Sequence, residues 1–144
     1  MNLKYRFAQL SDTAWLAEWN HQLIRDEGHR NPMTIPELEM RMRRWLVGEY
    51  QAMIFEQDDR VVAYALYRPG ENAIHLRHFF VHRQHRNKGI GQEAMRILLT
   101  GIWPKDRRVV VEALVQNLSA REFWKTIGFK EYSIALEILP ADRS

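Results

Sequence analysis

The chain has 144 residues, 46% hydrophobic and 27% charged, the balance of a globular protein with one core, so residues 1–144 are read as one domain. Its 21 Lys and Arg against 18 Asp and Glu leave a net charge of +3, which favours anionic ligands but falls short of a nucleic-acid binder's dense basic face. The absence of cysteine excludes a disulfide framework, a thiol nucleophile and a Cys-based zinc site; with no apolar run near the roughly 20 residues that span a bilayer and no signal-peptide h-region, a cytoplasmic protein is expected.

Alternating Leu3, Tyr5 and Phe7 predict a short strand within Leu3–Leu10. Ser11 stands where it could cap the following helix, whose inner face is Leu16, Trp19 and Leu23. Asp26–Met33 (DEGHRNPM) reads as a loop. Thr34-x-x-Glu37 is a capping box with Pro36 in the first turn, opening a helix to about Val47 over a face of Leu38, Met42 and Trp45. Strands are predicted over Tyr50–Glu56 and Val61–Tyr67, either side of a polar hairpin loop, Gln57–Arg60. Arg68–Asn72 turns the chain into an apolar strand, Ala73–Val81. The polar, basic segment His82–Lys88 follows, then a helix that opens at Gly89 and Gly91 and repeats Ile90, Ala94, Ile97, Leu98 and Ile102 at helical spacing. Trp103–Arg107 ends it, and Arg108–Val115 is a β-branched strand. Ser119-x-x-Glu122 is a second capping box, on a short helix closed by Gly128. Phe129–Leu139 is expected to supply a final strand or pair of strands before a frayed end.

The chemistry concentrates in the middle of the chain. A strand, a basic loop and a glycine-bearing helix start form a site for a phosphate or pyrophosphate, because first-turn N–H groups lack helical partners and carry the positive end of the dipole. Two glycines let the backbone come close to an anion. A solvated turn fits this local pattern equally well.

Two longer segments carry a resemblance. Arg86-Asn87-Lys88-Gly89-Ile90-Gly91 resembles the R/Q-x-x-G-x-G/A loop of the GNAT family of N-acetyltransferases, and Phe79-Phe80-Val81 resembles that family's pantetheine-binding strand. Asn117 to Phe129 resembles the family's N-x-x-A-x-x-F/L-Y-x-x-x-GF stretch except at Trp124, and the order β-α-α-β-β-β-α-β-α-β is similar along essentially the whole chain. The resemblance implies an α/β (α+β) fold: a mixed, mostly antiparallel central sheet with helices on both faces.

It also implies acetyl-CoA as co-substrate and an amine of a small molecule or peptide as acceptor. On that reading the loop from Arg86 through Asn87, Lys88, Gly89, Ile90, Gly91 and Gln92 holds the pyrophosphate, with Asn117 and Ser119 further cofactor contacts. The pantetheine arm lies along Phe79, Phe80 and Val81, and a backbone N–H at Phe80 faces the thioester carbonyl. Strand alternation predicts His75, Arg77, Phe79 and Val81 on one face and Leu76, His78 and Phe80 on the other. In the histone and arylalkylamine branches a Glu or His base lies six residues before the residue matching Val81, which here is His75. An imidazole with a pKa of about 6.5 suits that task. Arg77, on the same predicted face, is an alternative ligand for an acidic group of the substrate, and His78 is the poorer base.

Trp124 stands where many members carry a Tyr assigned to protonate the departing thiolate. Indole donates a hydrogen bond but no proton, so Trp124 is read as shaping the acyl pocket. A thiol with a pKa of about 8.5 leaves without help. This departure suggests one rival, a catalytically weak acyl-CoA sensor. The other rival, a nucleic-acid module on Arg83–Lys88, ranks last because a CoA phosphate site accounts for those charges. No nucleic acid, membrane or metal is therefore expected, and monomer and homodimer stay open.

Overall fold

The computed structural model describes all residues from Met1 to Ser144. Five strands form one sheet in sequential order: β1 (Lys4–Phe7), β2 (Gln51–Gln57), β3 (Arg60–Pro69), β4 (Ala73–Val81) and β5 (Arg108–Val111). Pairing is antiparallel as far as β4, and β5 joins β4 in parallel. Helices α1 (Thr13–Glu27) and α2 (Ile35–Val47) connect β1 to β2, α3 (Ile90–Ile97) forms the β4–β5 crossover, and α4 (Leu118–Ile127) follows β5. The mixed, mostly antiparallel sheet is the one expected. No helix is long and apolar enough to cross a membrane.

Side-chain alternation along the strands feeds two cores. On one face Ile90, Ala94, Met95 and Ile97 of α3 meet Val62, Ala65, Ile74 and Leu76 of the sheet. On the other, Leu16 and Leu23 of α1 and Met42 of α2 meet Ala52, Tyr64, Leu66 and Phe80. Each fully buried Leu, Ile, Val, Phe or Met side chain among these contributes about 1.5–3 kcal/mol before entropy is counted. The α2 capping box forms as predicted, with Thr34 accepting from the Glu37 N–H. The β2–β3 turn puts Asp58 and Asp59 at φ 52° and 63°, left-handed values that Asp tolerates and tight hairpins favour.

Several local expectations are corrected. Asp12, not Ser11, stands before α1, and its carboxylate is taken up by Arg6 at 2.9 and 3.0 Å, the Gln9 N–H at 2.8 Å and the Trp15 Nε1–H at 3.0 Å. These donors, Arg6 foremost, hold Asp12 down to about 2. Asp26 and Glu27 belong to α1, which closes at Gly28 with φ 75°, and are not loop residues. Asn117, not Ser119, caps α4, accepting from the Ala120 N–H at 3.3 Å. The α3 helix gives way to a wider π turn over Leu98–Ile102.

Two further corrections matter more for the site. β5 stops at Val111, short of the predicted Val115, and Phe129–Leu139 forms no strand. No N–H from Lys130 to Leu139 finds a protein acceptor, so strand propensity there has no pairing partner to act through. Side chains hold the segment instead: Arg121 to Glu131 at 2.8 Å, Arg108 over the Tyr132 ring at 5.1 Å, and Arg30 to Glu137 at 2.7 Å.

Candidate active site

β4 joins two features, a loop at its C-terminal end and a cleft beside its first half. At the loop, the Arg86 side chain turns back, donating from Nε to the Val81 carbonyl at 2.8 Å and from a terminal nitrogen to Asp26 at 2.6 Å. Its guanidinium lies 5.3 Å from the Phe80 ring centroid. That clamp ties the strand end to α1 and leaves the backbone beyond it free to turn. Asn87 and Gly89 then adopt φ 62° and 79°, and Gly89 becomes the N-cap of α3. From Asn87 to Gln92 no backbone N–H has an acceptor in the protein; the first one engaged is Glu93, on Gly89 O at 3.1 Å. Such a run of donors at a helix start is an anion-binding concavity. Gly91 has a different reason to be glycine. A Cβ there would meet the Phe123 ring at 3.2 Å, so its smallness lets α4 pack against α3.

Upstream, β5 pairs only with Ala73–Leu76, so β4 has no strand neighbour on that side from Arg77 to Val81. The His82 N–H donates to Val62 O at 2.8 Å on the β3 side. Backbone groups alternate along a strand, so Phe80 also turns its N–H to β3 while Phe79 and Val81 turn theirs to the open edge. The Phe79 side chain stacks on Phe123 at 5.8 Å and 14°, and Trp124 closes the cluster against Phe79, Phe123 and Phe129. The Trp124 indole is half-buried and makes no hydrogen bond within the protein.

The cleft, about 1190 Å³, opens between the C-terminal end of α1, β4, β5 and residues 131–137. Its lining corrects the predicted alternation of β4. Leu66 of β3 faces His78 but Tyr67 faces Leu76, so Arg77 is an extra residue, a β-bulge. The bulge reverses the faces. Ile74 and Leu76 share the α3 core with Phe79 and Val81, whereas His75, Arg77 and His78 line the cleft together. His78 therefore does not face away from His75.

The cleft's titratable groups are unequal. His78 is buried, shares a 3.1 Å hydrogen bond with the Tyr64 hydroxyl, and is pushed down to about 3 by burial and then by Arg41, Arg77 and His29. It stays neutral and is too weak a base to take an ammonium proton. Glu27 is pushed up to about 7, first by burial and then by the charge of Asp26. His29 Nε2 lies 3.4 Å from the Glu27 carboxylate, and a protonated imidazole there would pull it back down. His75 is half-buried at the cleft wall, opposite Arg68 of β3 and Val110 of β5. The sequence reading missed Glu27 and Arg41. The signal for Glu27 was present: an Asp-Glu pair in the last turn of a helix opposes the dipole and calls for a reason.

A family model for the acetyltransferase (GNAT) family matches residues 6–129. The chain belongs to the GNAT acetyltransferases. Solved structures agree on the fold. An acetyltransferase from Clostridium acetobutylicum, solved with acetyl-CoA, superposes with a TM-score of 0.75 at 17% identity, covering 99% of both chains. The ribosomal-protein-alanine N-acetyltransferase of Brucella melitensis biovar Abortus 2308 gives 0.74 at 16%, covering 96% of this chain and 99% of that one. Glucosamine-6-phosphate N-acetyltransferase from Arabidopsis thaliana gives 0.66 at 18%, covering 97% and 99%. No curated protein matches.

In this GNAT chain the residues predicted for cofactor and catalysis thus fall into groups. Asn87, Lys88, Gly89, Ile90, Gly91 and Gln92 form the free-amide run, Phe79 and Val81 border it on the open edge, and Arg86 braces it from behind. His75 stands at the cleft with Glu27. Asn117 serves its own helix, and Ser119 is exposed without a protein partner.

Proposed function

We propose that this GNAT protein moves an acetyl group from acetyl-CoA to a primary amine of a small molecule or peptide. The observation that carries the reading is the run of N–H groups from Asn87 to Gln92 without protein acceptors, at the end of a strand whose edge is open beyond Leu76. Pyrophosphate oxygens fit such donors, and an extended arm fits the open strand edge as an added strand would. Acetyl-CoA supplies the activated acyl group as a thioester. The N–H that faces its carbonyl is then Phe79 in place of the expected Phe80, whose own N–H is turned to β3.

The acceptor amine, with a pKa near 10.4, enters protonated and must lose a proton. His75 takes it at the cleft wall. Glu27, ionised above about pH 7, supplies negative charge that draws the ammonium group in. Trp124 forms an aromatic wall with Phe79 and Phe123 and delivers no proton.

Acetyl-CoA at about a hundredfold its dissociation constant adds roughly 2.7 kcal/mol of apparent stability. A rise of several degrees in melting temperature is expected, followed by CoA release on a panel of polyamines, amino acids and peptides. No shift at millimolar acetyl-CoA would sink the reading. A shift without turnover on any amine would leave the acyl-CoA sensor in its place.

A further inference from the structure

The cleft's charges are unbalanced in a way that points to the rest of the acceptor. Of its four carboxylates, Glu131 and Glu137 are spent on Arg121 and Arg30 at 2.8 and 2.7 Å, Glu27 stands beside His29, and Glu112 has no ion-pair partner. Arg41, Arg68 and Arg77 line the same cleft and have no carboxylate within 4.0 Å. Two of them gather on one indole: the guanidinium carbons of Arg41 and Arg77 lie 4.3 and 4.7 Å from the Trp45 ring centroid. Like charges brought together without a counter-ion repel, and the half-burial of Arg41 strengthens the repulsion, although Arg77 itself is exposed.

Arg41 carries the second observation. Its side chain is half-buried, its Nε is fully covered yet bonded to nothing, and its one hydrogen bond is a long 3.3 Å contact to the Asn20 side-chain oxygen. Asn20 is 1% exposed, and its Nδ2 is also without a partner. Buried donors are nearly always satisfied, so a cluster of unsatisfied donors lining one cleft marks where an acceptor group belongs. Arg77 shares the cleft face with His75 by strand alternation, and the bulge at Arg77 brings His78 to the same side, since regular alternation would leave Arg77 and His78 on opposite faces.

We propose that Arg41 and Arg77, held against Trp45, bind an oxyanion of the acceptor, a carboxylate or a phosphate, so that the substrate is an amine bearing a negative group. This rests on the acetyl-transfer reading of the same cleft. Glu27 and His75 meet the amine end, and the arginine pair meets the anionic end. Arginine suits this role because its planar fork matches two oxygens at once.

The test uses matched amines with acetyl-CoA: β-alanine against propylamine, and phosphoethanolamine against ethanolamine. The anionic member of at least one pair should have a kcat/KM at least tenfold higher, carried by KM. Which pair shows it separates a carboxylate from a phosphate site. In Arg77→Gln and Arg41→Gln that ratio should fall towards one, and Arg77→Lys should restore only part of it. Equal use of charged and neutral amines by the wild type, or an unchanged ratio in both variants, overturns the proposal while leaving acetyl transfer intact. Failure of acetyl-CoA itself to shift the melting temperature is the separate signature of a wrong functional reading. The anion site is then still tested by inorganic phosphate on Gly89→Glu protein, where the loop is blocked. Phosphate should raise the melting temperature there but not in Gly89→Glu/Arg77→Gln. Equal shifts in both, or none in either, reject it.

Discussion

The loop and the cleft sit at opposite ends of one strand and work by different means. The loop from Asn87 to Gln92 offers backbone N–H groups without protein acceptors, and its side chains matter for what they leave clear. The cleft is lined by side chains brought from α1, α2, β4 and the C-terminal segment. A backbone site is written in a short stretch of sequence, because a strand, two glycines and a helix start suffice to build it. A side-chain site is assembled from distant residues, and its chemistry depends on burial that no local pattern reveals. The contrast predicts that loop variants change cofactor affinity and cleft variants change turnover and acceptor choice.

The largest effect is expected at His75. His75→Ala should lower turnover about 10²–10⁴-fold with acetyl-CoA affinity nearly unchanged, and residual activity should climb towards the amine's own pKa. Activity within a few-fold of wild type would move proton removal to solvent or to Glu27. Gly89→Glu is next. It puts bulk and negative charge at a position of φ 79° beside the free amides, and should erase the acetyl-CoA melting shift, a loss of about a hundredfold in affinity or more. A retained shift in folded protein would remove the loop from cofactor binding.

Glu27 gives a smaller effect with a definite sign. Burial raises its folded pKa to about 7, above its ordinary 4.5, so the folded state holds that proton more tightly than the unfolded chain. The stability it contributes is complete below about pH 4.5 and is lost as pH rises through about 7. Glu27→Gln should therefore raise the melting temperature at pH 8 relative to wild type and change it little at pH 4.5. Equal differences at the two pH values would show that the carboxyl titrates normally. The smallest effect belongs to Trp124. Trp124→Phe keeps the aromatic wall and loses only an unbonded N–H, so it should cost at most a neutral hydrogen bond, about 0.5–1.5 kcal/mol in kcat. Trp124→Ala should do more harm by opening the cluster with Phe79, Phe123 and Phe129. A hundredfold loss in Trp124→Phe, not exceeded by Trp124→Ala, would give the indole N–H a direct role in the reaction.

Most of the fold was legible because its signals are local. The Thr34–Glu37 box, the Asp58–Asp59 turn, the limits of β4 and the glycine start of α3 all depend on residues within a turn of one another. The caps were less legible. Ser11 and Ser119 look like caps, but Asp12 and Asn117 occupy those positions, Asp12 also serving Arg6 and Trp15. Phe129–Leu139 failed for a related reason: its strand pattern is genuine, but a strand exists only when paired, and β5 is only four residues long.

The sequence alone determined the first four strands, the helix faces, the glycine start of α3 and the kinship with the GNAT acetyltransferases, because periodicity, glycine and capping chemistry act over a few residues. Only the tertiary structure decided which way β4 faces. The single extra residue at Arg77 brings His78 to the cleft that His75 and Arg77 share, where burial silences His78 and lifts Glu27 towards neutrality. Register across a sheet and the desolvation of a carboxyl are properties of what lies opposite in space, and neighbours in sequence do not carry them.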